Sequence, residues 1–270
     1  MQRIENRFAE LKNQGRKALI TFITAGDPDL AATPRLVAAL EGAGADIIEL
    51  GVPFSDPLAD GPTIQQASNR ALRAGASLKK ILGTVAEIRK TSEIPLVLMT
   101  YYNPVFRYGV AKLVADAAAR GVDGLIVPDL PLEESGELRR LAAGRLAVIP
   151  LAAPTTGPER LLKIAAAGSG FLYYVSVTGI TGTRTELPPE LASSLAAVRG
   201  RVTGLPLAVG FGISTAEQAR TVARHADAVI VGSALVKIVA RHGAAPEGIS
   251  ALTAKVGELR RALDEAGDIN

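Results

Sequence analysis

Eight short apolar runs recur along this chain, each followed by a loop and then a segment of helical spacing. They cover residues 18–25, 46–52, 95–101, 124–129, 147–153, 171–176, 206–212 and 228–232. Apolar runs without polar alternation mark strands buried on both faces, as in a parallel sheet. The intervening segments, such as 30–41, 110–120 and 158–167, are rich in Ala, Leu, Arg and Glu. Pro158 stands where a helix accepts proline in its first turn. Eight strand–helix units in 270 residues predict an α/β fold, a closed (β/α)8 TIM barrel forming a single domain over 1–270. An additional N-terminal helix is predicted over 4–14. The interval 53–94 is longer than one helix needs, and is predicted to hold a proline-rich loop and two helices, 64–74 and 78–90. A doubly wound open sheet is the competing arrangement. Its usual glycine-rich turn is not found in Ala25-Gly26-Asp27-Pro28-Asp29, which follows the first strand.

Several function classes drop out on composition. The 30 basic and 27 acidic residues nearly balance and are scattered, without the basic cluster that nucleic-acid binding requires. With no cysteine, disulfides, thiolate metal sites and Cys nucleophiles are excluded. Residues 1–17 lack the apolar core of a signal peptide, and no run reaches the length of a membrane helix. A soluble, cytoplasmic protein is expected.

Glu49 closes the second strand, and Asp60 lies on the loop beyond it. Three prolines and two glycines within 51–63 hold that loop out of helix or strand. A carboxylate at a strand end facing a second on a stiff loop suits acid–base chemistry in a pocket. In a barrel of this kind, the loops at the C-terminal ends of the strands build the site. Strand alternation then turns Ile47, Glu49 and Gly51 inward and sets Ile48 and Leu50 against the helices. The same parity offers Phe22 with Thr24, Tyr101 with Met99, Asp129 with Val127, and Tyr173 with Phe171. These aromatic walls suit a flat aromatic ligand.

The last two units carry an anion signal. Gly210-Phe211-Gly212-Ile213-Ser214 follows strand seven, and Val231-Gly232-Ser233-Ala234 follows strand eight. Glycines admit an anion close to the backbone, and a helix starting near Ser233 aims free N–H groups at a phosphate. After strand six, residues 178–185 (Thr-Gly-Ile-Thr-Gly-Thr-Arg-Thr) have the small polar composition of a closing lid.

No strand run carries a lysine at its end for Schiff-base chemistry. His225 and His242 fall on helical or connecting segments rather than in a metal-binding cluster. What remains is a pair of carboxylates, a third at Asp129, aromatic walls and a phosphate grip. If a carbon–carbon bond breaks here, the substrate must provide the electron sink.

The runs 21–28 (Thr-Phe-Ile-Thr-Ala-Gly-Asp-Pro) and 49–65 (Glu-Leu-Gly-Val-Pro-Phe-Ser-Asp-Pro-Leu-Ala-Asp-Gly-Pro-Thr-Ile-Gln) resemble the tryptophan synthase alpha chain. So do Thr178-Gly179-Ile180-Thr181-Gly182 and Gly210-Phe211-Gly212-Ile213, in the same order over essentially the whole chain. The resemblance implies retro-aldol cleavage of indole-3-glycerol phosphate to indole and glyceraldehyde 3-phosphate, with no cofactor in this chain. It implies Glu49 as general acid/base and Asp60 as acceptor of the indole N–H. Tyr173 would position Glu49 and ligand, with Phe22, Tyr101 and Phe211 on the substrate side. Backbone donors at Gly182, Gly212 and Gly232, with Ser233, would hold the phosphate, and Thr181 would close over Asp60. The resemblance further implies an alpha2-beta2 complex with a pyridoxal-phosphate beta chain, the loop around Asp56 facing that partner. Val177-Thr178 departs from the more polar pair found in the family. Indole-glycerol-phosphate synthase, which calls for a catalytic lysine, and a non-catalytic module that activates a partner are the alternatives.

Overall fold

A computed structural model describes residues 1–175, 190–210 and 212–267. The chain opens with α1 (Gln2–Asn13), β1 (Ala18–Thr24), α2 (Ala32–Gly42) and β2 (Ile47–Gly51). Next come α3 (Pro62–Arg73), α4 (Leu78–Ile88), β3 (Leu96–Met99), α5 (Tyr102–Tyr108), α6 (Val110–Ala119), β4 (Gly124–Ile126) and α7 (Gly136–Ala142). The second half runs β5 (Ala147–Val148), β6 (Leu151–Ala152), α8 (Pro158–Ala167), β7 (Leu172–Val175), α9 (Leu191–Arg199) and β8 (Leu207–Gly210). It ends with α10 (Ala216–Ala223), β9 (Ala228–Val231), α11 (Ser233–His242) and α12 (Pro246–Gly267).

All the strand pairs are parallel, in the order β5-β4-β3-β2-β1-β9-β8-β7-β6. The two ends of that row, β5 and β6, are halves of one strand interrupted at Ile149-Pro150. Proline has no N–H to give to a ladder, yet the join holds on both sides. Ile149 donates its N–H to Leu125 O at 2.9 Å, and Pro150 O accepts from Tyr173 N at 2.9 Å. The sheet therefore closes into the predicted (β/α)8 barrel, its fifth strand in two pieces. The predicted N-terminal helix and the two helices between strands two and three are present. Helix α5 was not foreseen.

Strand alternation divides the apolar side chains into two cores. Inside the barrel lie Ile20, Phe22, Ile47, Val97, Met99, Ile126, Phe171, Tyr173, Ala208 and Ile230. Between barrel and helices lie Leu19, Ile23, Ile48, Leu50, Leu96, Leu98, Leu125 and Val209. Helix α1 closes the N-terminal end of the barrel. Its Ile4, Phe8 and Leu11 share one face and join the inner core, with Phe8 packed 5.8 Å from Phe171.

That lower end is held by a repeated clamp. Asp46, just before β2, donates its N–H to Leu19 O at 2.8 Å and accepts Leu19 N–H on its carboxylate at 2.7 Å. Asp123 does the same with Leu96, and Asp227 with Leu207. Each carboxylate also meets arginine: Asp46 bonds Arg7 and Arg260, Asp123 bonds Arg3 and Arg89, and Asp227 bonds Arg199. Helices α1 and α12 are thereby fastened to the barrel floor. Before β7 the same place is taken by Ser169, whose hydroxyl accepts Val148 N–H at 2.9 Å while its own N–H donates to Val148 O at 3.0 Å.

Removing one partner from a buried ion pair leaves an unpaired charge, at about 3 kcal/mol or more. Asp123→Ala strands Arg89 and the Leu96 N–H. Urea unfolding is expected to show a loss of about 3 kcal/mol, and a loss below about 1 kcal/mol would deny the clamp its role.

Candidate active site

The inward parity of β2 sets Glu49 opposite Phe22 on β1 and Val97 on β3. The side chain is 1% exposed, and neither carboxylate oxygen has a protein hydrogen-bond partner among the described residues. It faces a cleft at the C-terminal end of the barrel. Phe22, Asp60, Ile64, Met99, Tyr173 and Ile230 line one part, and Gly212, Ile213, Ser214, Gly232, Ser233 and Ala234 the other. Seven of the candidate catalytic and ligand-binding residues read from sequence therefore share one cavity: Phe22, Glu49, Asp60, Tyr173, Gly212, Gly232 and Ser233. Thr181, Gly182 and Phe211 lie outside the described residues, as does the segment read as a lid.

Two strand glycines make room for the aromatic walls. A Cβ on Gly51 would sit 2.5 Å from Phe22 Cζ, and one on Gly210 would sit 2.6 Å from the Tyr173 hydroxyl. Real Cβ atoms do not approach so closely, so these rings lie where only glycine admits them. Gly212 has φ +82°, a left-handed conformation natural to glycine. Gly232 leads directly into α11, whose first N–H groups have no partner within the helix.

Asp60 is anchored from two sides. Its carbonyl accepts from Gln65 Nε2 at 2.9 Å, fixing the loop to α3. The Tyr101 hydroxyl accepts Ala59 N–H at 3.0 Å and hydrogen-bonds the Asp60 carboxylate. Tyr101 also packs on Phe54, ring centroids 5.4 Å apart. Tyr101, read from sequence as a pocket wall, is not among the residues that line the cleft, and its hydroxyl supports the Asp60 carboxylate.

Asp129 departs from expectation. The strand reading ran to residue 129, but β4 ends at Ile126, with Ile126 inside the barrel and Val127 in the outer core. Alternation from an inward Ile126 turns Val127 and Asp129 to the other side, so the inward parity expected for that pair is one residue out of step. Asp129 is exposed, away from the lining of the cleft, and accepts the Tyr102 N–H at 2.8 Å at the start of α5. Conversely, Ile64 and Ile230 were missed. Ile230 was within reach, because it shares parity with Gly232, whereas Ile64 sits on a helix whose docking only the fold reveals.

The two carboxyls titrate differently. Burial pushes Glu49 up to about 8, and the Asp60 charge adds to the rise. Burial lifts Asp60 to about 6, against the pull of the Tyr101 hydrogen bond. Burial also raises the Tyr173 phenol, with Glu49 and Asp60 acting in the same sense. Between about pH 6 and 8, Asp60 is ionised while Glu49 holds its proton. One group can then donate a proton to a ligand while the other receives a hydrogen bond and balances positive charge.

The family model described as the tryptophan synthase alpha chain matches residues 8–264. The tryptophan synthase alpha chain of Geobacter sulfurreducens is 53% identical over 264 residues, covering 97% of this chain and 99% of that one. That of Geotalea daltonii is 57% identical over 238 residues, covering 88% and 90%. Among solved structures, tryptophan synthase subunit alpha from Legionella pneumophila str. Paris superposes with TM-score 0.90 at 40% identity, covering 97% of this chain and 98% of that one. Mycobacterium tuberculosis tryptophan synthase gives 0.87 at 39%, covering 96% and 97%.

A carboxyl whose pKa is raised on folding contributes stability in its protonated form, and that contribution is lost as pH rises through the folded value. For Glu49, the loss spans the window from its usual value of 4.5 up to about 8. Wild type is expected to lose stability across it, with a slope of up to about 1.4 kcal/mol per pH unit from this one group. Glu49→Gln should remove that part of the slope, as read by urea unfolding at a series of pH values. Equal slopes would mean Glu49 is not held protonated.

Proposed function

The chain belongs to the tryptophan synthase alpha chain family, and from that premise we propose that its lyase activity is retro-aldol cleavage of indole-3-glycerol phosphate. The observation that carries the reading is the split between the two carboxyls of one cleft: Glu49 protonated and Asp60 ionised at neutral pH. The products are indole and glyceraldehyde 3-phosphate.

In this reading the Glu49 carboxylic acid protonates indole C3. The resulting indoleninium carries its positive charge at the ring nitrogen, whose N–H is held by Asp60. Glu49, now a carboxylate, takes the proton of the glycerol hydroxyl next to the ring. The C–O becomes C=O, the bond to C3 breaks, and its electron pair returns to the ring as neutral indole. Glu49 ends protonated, as it began. The ring nitrogen is the electron sink, so the chemistry asks no cofactor of this chain. Tyr173 packs beside Glu49, while Phe22, Met99 and Ile230 supply flat apolar walls. Gly212, Gly232, Ser233 and the start of α11 offer the phosphate backbone donors and the positive end of a helix. Gly182, Thr181 and Phe211 remain proposed contacts by family resemblance.

The chain acts as one domain, in the cytoplasm, within an alpha2-beta2 complex whose beta chain holds pyridoxal phosphate. Among the described residues, no helix is long and apolar enough to cross a membrane. The loop around Asp56 and helix α5 present Leu58 (91% exposed) and Phe106 (68% exposed).

Indole release is the direct test, measured with and without a beta chain. Glu49→Gln and Asp60→Asn are each expected to lower kcat/KM by about 10³-fold or more, as fits loss of a group acting in the transition state. Addition of the beta chain should raise wild-type turnover. Folded wild type that releases no indole in its presence would refute the lyase reading.

A further inference from the structure

We propose that the groove at the closed end of the barrel, beneath Ser169 and opposite the catalytic cleft, binds a small dicarboxylate. The site stands apart from the lyase reading and does not depend on it.

The clamp pattern is the first support. Asp46, Asp123 and Asp227 each set a carboxylate at the foot of a strand, where it accepts a backbone N–H and meets arginine. At the fourth position Ser169 makes the two backbone hydrogen bonds but carries no charge. The cations of that corner are nevertheless present. Lys12, Arg16, Lys17 and Arg199 line the groove around Gly168, Ser169 and Gly170, against only Glu5 and Asp227. Four cationic groups against two acidic ones leave a net charge of +2.

Two of these cations already have partners. Arg199 is bonded to Asp227, and Arg16 to Asp264. Lys12 and Lys17 have no ion pair among the described residues. Lys17 is half-buried, and burial lowers its ammonium pKa, with Asp227 opposing and Arg199 reinforcing that effect. A cation stripped of part of its water without a partner is costly. A ligand with two carboxylates gives one partner to each of these two lysines. Phe8, Leu11, Leu205 and Pro206 give the short carbon body an apolar wall. No residue of the catalytic cleft takes part.

Malonate is the probe, with sodium chloride at matched ionic strength as control. Binding to the folded form raises Tm by mass action. Wild type is expected to gain a few degrees over chloride, saturably, with a Kd measurable by calorimetry. Lys17→Gln should weaken malonate binding about tenfold, on the order of 1.4 kcal/mol. Ser169→Asp, which supplies the carboxylate internally, should raise Tm without malonate and abolish the response to it. Glu49→Gln should bind malonate as wild type does. Equal malonate affinity in wild type and Lys17→Gln, or a wild-type Tm gain no larger than that in chloride, would overturn the proposal. If Ser169→Asp fails to fold, the Lys17→Gln comparison alone decides.

Discussion

The parallel register of β1, β2 and β3 is the constraint on which the site depends. Glu49 lies opposite Phe22 and Val97, and a slip of one residue would carry it to the outer face now held by Ile48 and Leu50. Register is pinned three residues earlier, where Asp46 exchanges two hydrogen bonds with Leu19 and ties down arginines from α1 and α12. The lower end of the barrel thus fixes what the upper end presents. The same register brings Gly51 beneath the Phe22 ring and Gly210 beneath the Tyr173 hydroxyl, so the strands also set the width of the cleft.

Given that frame, the chemistry follows from unequal environments. Glu49 is sealed among apolar neighbours and gains no protein hydrogen bond, so its charged form is disfavoured. Asp60, half-buried on its loop, has the Tyr101 hydroxyl to stabilise its charge. Once Asp60 has ionised, its field makes Glu49 harder still to deprotonate. Two like side chains are driven into opposite protonation states by their unequal surroundings. A buried carboxyl with no protein hydrogen-bond partner is a stability cost borne at the site, and the two cores and the clamps of the barrel floor offset it.

The barrel was legible because its strands are continuous apolar runs separated by segments of helical period, a pattern few other folds produce. Glu49 could be oriented from sequence because its strand continues unbroken to Gly51. Asp129 could not, since the uniformly apolar run 124–127 does not announce which of its residues face inward, and it is Gly124 and Ile126 that do. Helix α5 escaped notice because Tyr102–Tyr108 is only seven residues long, carries Pro104, and is started by a cap from Asp129. The Tyr101–Asp60 contact joins residues 41 apart, and nothing local announces it. The pre-strand aspartates were plain to see as residues, but their partners lie a whole strand–helix unit away. Geometry alone leaves the identity of the ligand open, and the substrate proposed for the cleft comes from family resemblance.

The most direct measurement is the titration of the Glu49 carboxyl itself, followed by ¹³C NMR in wild type and in Asp60→Asn. The account predicts a midpoint near 8 in wild type, and a lower one once the Asp60 charge is removed. A wild-type midpoint near the ordinary 4.5 would contradict it, because Glu49 would then enter the reaction already ionised and could not act as the acid.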